Sequence, residues 1–388
     1  MTACIIGWDH LRFGKHEDMD VESMIVSVAR GAIRDAGLDP RDIDAIFIGT
    51  FNGGLVMQDF PASLVLQADD DLRFKPATRV ENACATGSAA VYQGLNAIAA
   101  GKARRVLVVG AEKMTEVSGQ ELGVILTKAS YVKEEASANM SFTDIFARIA
   151  ELYFQAYGDK SDALAMIAAK NHRNGCDNPY AHLRKDLGYE FCRAVSDENP
   201  VVSGPLKRTD CSLVSDGAAA VVLADVDTAL AADKAVYFRA AQQVSDYLPM
   251  SRRNVIDFEG PTLAWRRAFD QAGVSLDDLS LVETHDCFTI AELIEYEAMG
   301  LTARGEGERA VKEGWTRKDG RLPVNPSGGL KAKGHPIGAT GVSMHALGAM
   351  QVTGGAGDMQ IPDAGLAGVF NMGGAAVASY VSILAPLR

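Results

Sequence analysis

Val21-Glu22-Ser23-Met24-Ile25-Val26-Ser27-Val28-Ala29-Arg30-Gly31-Ala32-Ile33-Arg34-Asp35-Ala36-Gly37, followed by Ile43-Asp44-Ala45-Ile46-Phe47-Ile48-Gly49-Thr50, is the first architectural unit of the chain. Met24, Val28 and Ala32 fall on one stripe of an amphipathic helix, Ala36-Gly37 ends it, and Ile43 to Ile48 alternates as a strand. The same unit returns from Pro261. Trp265 and Phe269 occupy a helix that stops at Ala272-Gly273, and Leu279 to Glu283 follows as a strand. Further signals keep the order: Thr86-Gly87 and Thr340-Gly341 each open a helix, and Gly217-Ala218-Ala219-Ala220-Val221 is echoed by Gly374-Ala375-Ala376-Val377. A long-period repeat of mixed strands and helices predicts two similar α/β halves packed together.

Between the strand at Arg105 to Val109 and the strand expected over Ser212 to Ala224, the texture changes. Residues 118 to 208 carry amphipathic helices (Asp144 to Tyr157, Ser161 to Arg173), polar loops and the basic group Lys170, His172, Arg173, His182, Arg184, Lys185. This stretch reads as an insertion in the first half. Its positive residues form either a solvated face or a surface that meets the phosphates of a ligand.

At 388 residues the chain exceeds what one hydrophobic core usually organises, and its 38 glycines suit a compact α/β protein with many tight turns. A formal charge of -12 without a Lys/Arg-rich run argues against a nucleic-acid partner. The start, Met1-Thr2-Ala3-Cys4-Ile5-Ile6-Gly7, lacks a basic region followed by a long apolar one, and no apolar run reaches about 18 residues. No membrane insertion is expected, and the expected location is the cytoplasm. Six cysteines are scattered without a CxxC pair, which suits reduced thiols and gives no reason to expect a metal.

Four segments carry chemistry. Glu81-Asn82-Ala83-Cys84-Ala85-Thr86-Gly87-Ser88 places a cysteine among small residues just before a helix, where unsatisfied N–H groups favour a thiolate and can hold an oxyanion. Taken alone, such a cysteine is as readily a small core residue. Gly328 to Gly341 holds His335 between Gly334 and Pro336, a restrained imidazole suited to taking a thiol proton, or a glycine-rich turn with an incidental histidine. Neither GxxxxGK[ST] nor a helix-opening GxGxxG is present, so a phosphate loop is not expected. His285-Asp286-Cys287-Phe288 sits at a strand-to-helix turn, where an imidazole and a thiol can point into one cleft; a bare turn or a weak metal site are the alternatives. Asn371-Met372-Gly373-Gly374-Ala375-Ala376 joins the strand Leu366 to Phe370 to a terminal strand, Val377 to Leu384, and its glycines can aim backbone N–H groups at a ligand oxygen.

In this order, and with the repeat, the four segments resemble the thiolase superfamily over essentially the whole chain. The likeness is to the sterol-carrier-protein-type thiolases, which have His-Asp-Cys-Phe where other thiolases have Asn-Glu-Ala-Phe. The resemblance implies a duplicated five-layer α-β-α-β-α fold: an N-terminal half over 1–117 completed by 209–228, an inserted coenzyme A-binding loop domain over 118–208, and a C-terminal half over 229–388.

The resemblance also implies roles. Cys84 is the acylated nucleophile, His335 takes its proton and helps bind a thioester oxygen, and His285 completes the first oxyanion hole. The N–H groups of Cys84 and Gly373 form the second. Ordinary thiolases have a further cysteine in a Cys-x-Gly motif, and here Asn371 stands in its place, so the acid/base role passes to Cys287. Acyl-CoA and CoA are substrates, with no permanently bound cofactor, and Arg184, Lys185 and Ser203 are candidates for contacting them. The implied reaction is ping-pong cleavage of a 3-ketoacyl-CoA by CoA, or condensation in reverse; because thioester condensation is usually uphill, cleavage is the expected direction. A homodimer or homotetramer is implied. The alternatives are retro-aldol cleavage of a CoA thioester with a small acyl-CoA-binding partner protein, decarboxylating ketoacyl synthesis, and a non-catalytic acyl-CoA-binding subunit.

Overall fold

The computed structural model describes residues 3–135 and 140–387. The chain ends and residues 136–139, part of the expected insertion, lie outside them. Strands β1 (Ala3–His10), β2 (Ala45–Gly49), β3 (Ala77–Val80) and β4 (Arg105–Glu112) precede a small hairpin of β5 (Val201–Ser203) and β6 (Leu206–Lys207). Then come β7 (Gly217–Asp225), β8 (Val236–Ser245), β9 (Leu281–Glu283), β10 (Ala367–Gly373) and β11 (Ala378–Pro386). All but the hairpin join in one sheet ordered β3-β2-β4-β7-β1-β8-β11-β10-β9.

The sheet shows the duplication directly. In the first half β2 is parallel to β3 and β4, β4 is antiparallel to β7, and β7 to β1. In the second half β9 is parallel to β10, β10 antiparallel to β11, and β11 to β8. Val324 bridges in parallel to Val282 of β9, at the place β3 holds beside β2. The halves meet in a short antiparallel seam, Cys4 opposite Tyr237 and Ile5 opposite Val236.

Alternation along the strands builds five layers, because successive side chains leave opposite faces. Leu107 and Val109 of β4 pack with Met24, Ile25 and Val28 of the outer helix Val21–Asp35, while Val106 and Val108 join the central cluster. That cluster holds Ala89 and Val91 of the helix Thr86–Ala99, Val342 and Met344 of the helix Ile337–Val352, and Val369 of β10. On the far side Phe370 and Met372 meet Trp265 of the helix Glu259–Ala272. Every residue of Ile337–Val352 is buried, as suits a mostly apolar helix enclosed between the two halves of the sheet.

The helix stops follow the sequence. Asp20 caps Val21–Asp35 by accepting from the N–H of Ser23, and Gly37 and Gly273 turn the chain with φ of 66° and 63°. The expected strand over Ser212 to Ala224 begins only at Gly217. Before it, Asp216 leaves the ladder to accept from Lys113 Nζ and from the N–H groups of Met114 and Thr115. The terminal hairpin also differs, since Asn371 to Gly373 continue β10, paired with Tyr380 to Ala378, and the turn falls after them. Between β4 and β7 lie the helices Gly119–Thr127, Phe142–Tyr157, Ser161–Gly175 and Gly188–Arg193 and the β5–β6 hairpin.

Candidate active site

Cys84 lies in the bend between β3 and Thr86–Ala99. Ala83 takes φ of 49°, a left-handed conformation that costs a residue with a Cβ, and Asn82 N–H donates to Thr86 Oγ1 at 2.8 Å. The bend places the thiol just before the helix, 5% exposed. Opposite it, the turn after β9 carries His285 and Cys287, and the loop before Ile337–Val352 carries His335.

Asp286 explains why those two loops stay together. Buried between the histidine and the cysteine, its carboxylate accepts from the N–H of Leu330 at 2.7 Å and of Lys331 at 3.3 Å, and from Asn171 Nδ2 at 2.8 Å. The carboxylate thus clamps the glycine-rich segment that leads to His335. The Cys287 carbonyl accepts from Ser212 N–H at 2.9 Å, and Phe288 stacks on Phe146 at 4.5 Å, which fixes the turn from the other side.

Cys84 Sγ and one ring nitrogen each of His285 and His335 lie within 4.8 Å of one another. The two rings meet edge to face at 5.1 Å. Both Nδ1 atoms are engaged: that of His335 with Thr340 Oγ1 at 2.7 Å, that of His285 with Asn371 Nδ2 at 2.9 Å. Both Nε2 atoms are buried without a protein partner. Thr340 Oγ1 donates its single hydrogen to the Pro336 carbonyl at 2.9 Å, so toward His335 it accepts. His335 therefore carries its hydrogen on Nδ1 and presents a lone pair on Nε2, the form a general base needs.

Electrostatics set the resting state. Burial pushes the Cys84 thiol up to about 12, with the Gly374 N–H pulling the other way. Burial, helped by Lys333, depresses His335 to about 3. The helix start expected to favour a thiolate is thus outweighed by desolvation, and the pair rests as thiol and neutral imidazole. Proton transfer must accompany attack on a carbonyl, not precede it. Cys287 is raised well above the usual thiol range, by burial first and then by Cys84, so the two sulfurs are electrostatic neighbours despite their distance in sequence.

The residues expected to contact the substrate are placed elsewhere. Arg184 and Lys185 are exposed, with the Arg184 guanidinium turned onto the Cys176 carbonyl, and Ser203 donates to Asp144. Lys170 and His172 of the basic group point inward: Lys170 pairs with Glu292 at 2.6 Å, and His172 is 2% exposed. A cavity of about 750 Å³ opens between Ser161–Gly175 and residues 311–319, lined in part by Lys170, Arg173, Lys312 and Arg317, but none of the four reactive residues borders it. A narrow cleft lined by Ser130, Phe142, Leu248, Arg253 and Ala375 ends one residue from Gly374. Among the described residues, Cys84, His285 and His335 are also the set that could hold a metal ion. All six cysteines are free. The sequence shows Thr340 as a helix opener, Asn371 in the place of a cysteine and Gly374 in a glycine turn, whereas their contacts with His335, His285 and Cys84 emerge only in the fold.

A duplicated α/β fold that brings a helix-start thiol, two imidazoles and a second thiol into one buried pocket defines an acyl-transferring enzyme. The chain belongs to the thiolase family: residues 4–187 match the thiolase N-terminal domain and residues 241–386 the thiolase C-terminal domain-like family. It is 37% identical to an acetyl-CoA acetyltransferase of Methanothermobacter thermautotrophicus over 98% of both chains. It is 34% identical to sterol carrier protein 2 of Oryctolagus cuniculus over 78% of this chain and 57% of that one. In fold it matches the Ltp2-ChsH2(DUF35) aldolase with a TM-score of 0.83 at 23% identity, covering 100% of this chain and 98% of that one.

Proposed function

We propose that the protein is a thiolase that cleaves a 3-ketoacyl-CoA with CoA, or condenses acyl-CoAs in reverse, through an acyl group on Cys84. The observation that carries the reading is the convergence of Cys84 Sγ with His285 and His335 within 4.8 Å. Cys84 sulfur attacks the 3-keto carbon while its proton passes to His335 Nε2. The bond between carbons 2 and 3 breaks, and its electron pair leaves as the enolate of acetyl-CoA, whose oxygen sits against His285 and the now protonated His335. Cys287 gives its proton to carbon 2; the thiol of CoA then passes its own proton to Cys287, its sulfur takes the acyl group, and the Cys84 sulfur leaves with the proton held on His335.

The same reading assigns 1–117 with 209–228 to one half, 229–388 to the other, and 118–208 to a loop domain that holds coenzyme A. Backbone N–H groups of Cys84, Gly373 and Gly374 hold the acyl oxygen. Neither a resident cofactor nor a metal belongs to this reading. No helix of the described residues is long and apolar enough to cross a membrane, which agrees with a cytoplasmic enzyme. Among the described residues strand β3 ends the sheet with an unpaired edge, and the exposed Phe74 before it and Phe60, beside a turn packed on β3, support a homodimer formed along that edge.

Cleavage of a panel of 3-ketoacyl-CoAs, with intact-mass detection of acyl-enzyme, tests the reading. Wild type should cleave, Cys84→Ala should neither cleave nor acylate, and Cys287→Ala should acylate from an acyl-CoA yet fail at carbon–carbon chemistry. A wild type that never acylates on Cys84 overturns it. Fold likeness to an aldolase with a partner protein favours a second reading, retro-aldol cleavage of a CoA thioester; there Cys287→Ala would leave turnover intact.

A further inference from the structure

We infer that Asn371 is a positioning residue that locks His285 into the tautomer with its hydrogen on Nε2, so that His285 faces the substrate as a donor. This rests on the acyl-transfer reading above and deepens it. Asn371, near the end of β10, is fully buried, and its Nδ2 lies 2.9 Å from His285 Nδ1 and 3.2 Å from the Cys84 carbonyl oxygen.

The second contact decides the orientation of the amide. With Nδ2 toward Cys84, its two hydrogens serve two acceptors, the Cys84 carbonyl and the His285 ring. Flipped, Oδ1 would face the carbonyl oxygen across 3.2 Å, two acceptors with no hydrogen between them. In the orientation present Oδ1 has no protein partner, the lesser cost. A donor at Nδ1 means that Nδ1 carries a lone pair, and a neutral imidazole then holds its hydrogen on Nε2. Burial together with His335 and Lys333 keeps His285 well below its ordinary range, so neutral is its resting state.

The two imidazoles of the pocket are thus set in opposite senses. Thr340 accepts from His335 and leaves it a base; Asn371 donates to His285 and leaves it an acid-side hydrogen-bond donor, the polarity an enolate oxygen requires. Because the same amide holds the Cys84 main chain, it also fixes the distance between nucleophile and donor. An amide is neither acid nor base near neutral pH, so Asn371 acts only through His285 and the Cys84 main chain.

Long-range 1H–15N spectra of protein labelled with 15N-histidine read the tautomer directly; the chain has seven histidines, and the His285 signals are those missing from His285→Asn. Wild type should show Nε2–H on His285. Asn371→Asp, which can only accept when ionised, should turn it to Nδ1–H and lower kcat on the order of 100-fold at pH 8. Activity of this variant should return as the pH falls and the ring becomes a cation with hydrogens on both nitrogens, an inverted profile that a packing defect does not produce. If Asn371→Asp does not fold, Asn371→Ser, whose hydroxyl can serve only one of the two acceptors, is read for a mixture of tautomers. A wild-type Nδ1–H tautomer, or an Asn371→Asp enzyme with unchanged tautomer and pH profile, overturns the inference. Absence of thiolase turnover in wild type would remove the acyl-transfer reading and leave the tautomer to be judged by the spectra alone.

Discussion

Gly87 and Gly341 sit where the two central helices cross, so close that a Cβ on Gly87 would stand 2.7 Å from the Gly341 nitrogen and 2.8 Å from the Gly338 carbonyl oxygen. Backbone, not a movable side chain, fills the space. The contact holds two helix starts side by side, and each follows a reactive residue, Cys84 in one case and His335 in the other.

Gly87→Ala should therefore force the helices apart, costing about 1–3 kcal/mol of stability or more and separating thiol from imidazole. Gly123→Ala, in the helix Gly119–Thr127 with open space around it, should instead stabilise by up to about 1 kcal/mol. Urea unfolding of the pair checks both; equal midpoints would show that the crossing is not tight.

Thr340→Val removes the acceptor for His335 Nδ1–H and leaves a buried donor unpaired. We expect kcat to fall on the order of 10- to 100-fold, with Thr340→Ser close to wild type because it keeps the hydroxyl. Steady-state kinetics decide it, and a Thr340→Val enzyme of full activity would mean that the hydroxyl does not set the tautomer.

Zinc should inhibit by binding Cys84 and the lone pair of His335 Nε2, while His285, which carries its hydrogen on Nε2, stays outside the metal's shell. Mass spectrometry of iodoacetamide-treated protein provides the check. Cys84 should be protected by zinc and exposed again by a chelator; unimpeded alkylation would count against the geometry.

His345 links the Gly341 carbonyl, through Nδ1 at 2.7 Å, to Ser382 Oγ, through Nε2 at 2.8 Å, and burial depresses it to about 4. The unfolded chain takes up a proton below about pH 6.5 while the folded one refuses it, so this contribution is complete above pH 6.5 and is lost as pH falls to about 4. His345→Gln should remove one proton's worth of slope in that window, about 1.4 kcal/mol per pH unit, in unfolding experiments run from pH 7 to 4. Parallel curves for the two proteins would refute the assignment.

Much of this architecture can be read before any coordinates. Periodicity and the Ala-Gly stops locate the helix–strand units, and small residues before Thr86 and Thr340 mark the two helix starts. What stays hidden has physical causes. Asn371 is visible only as an unexpected residue, because its effect depends on which way an amide faces a ring 86 positions away in the chain. The inward turn of Lys170 toward Glu292 depends on tertiary pairing, which a run of basic residues cannot report. Cys84 as a resting thiol follows from desolvation by both halves, whereas local sequence shows only the helix that opposes it.

The seam between β1 and β8 spans two residue pairs, and the reactive groups are divided across it: Cys84 on one side, His285, Cys287 and His335 on the other. A nascent chain that has emerged only as far as β7 therefore holds a thiol without a base. It cannot squander thioesters at that stage, and chemistry begins only once the segment through His335 has folded beside the first half.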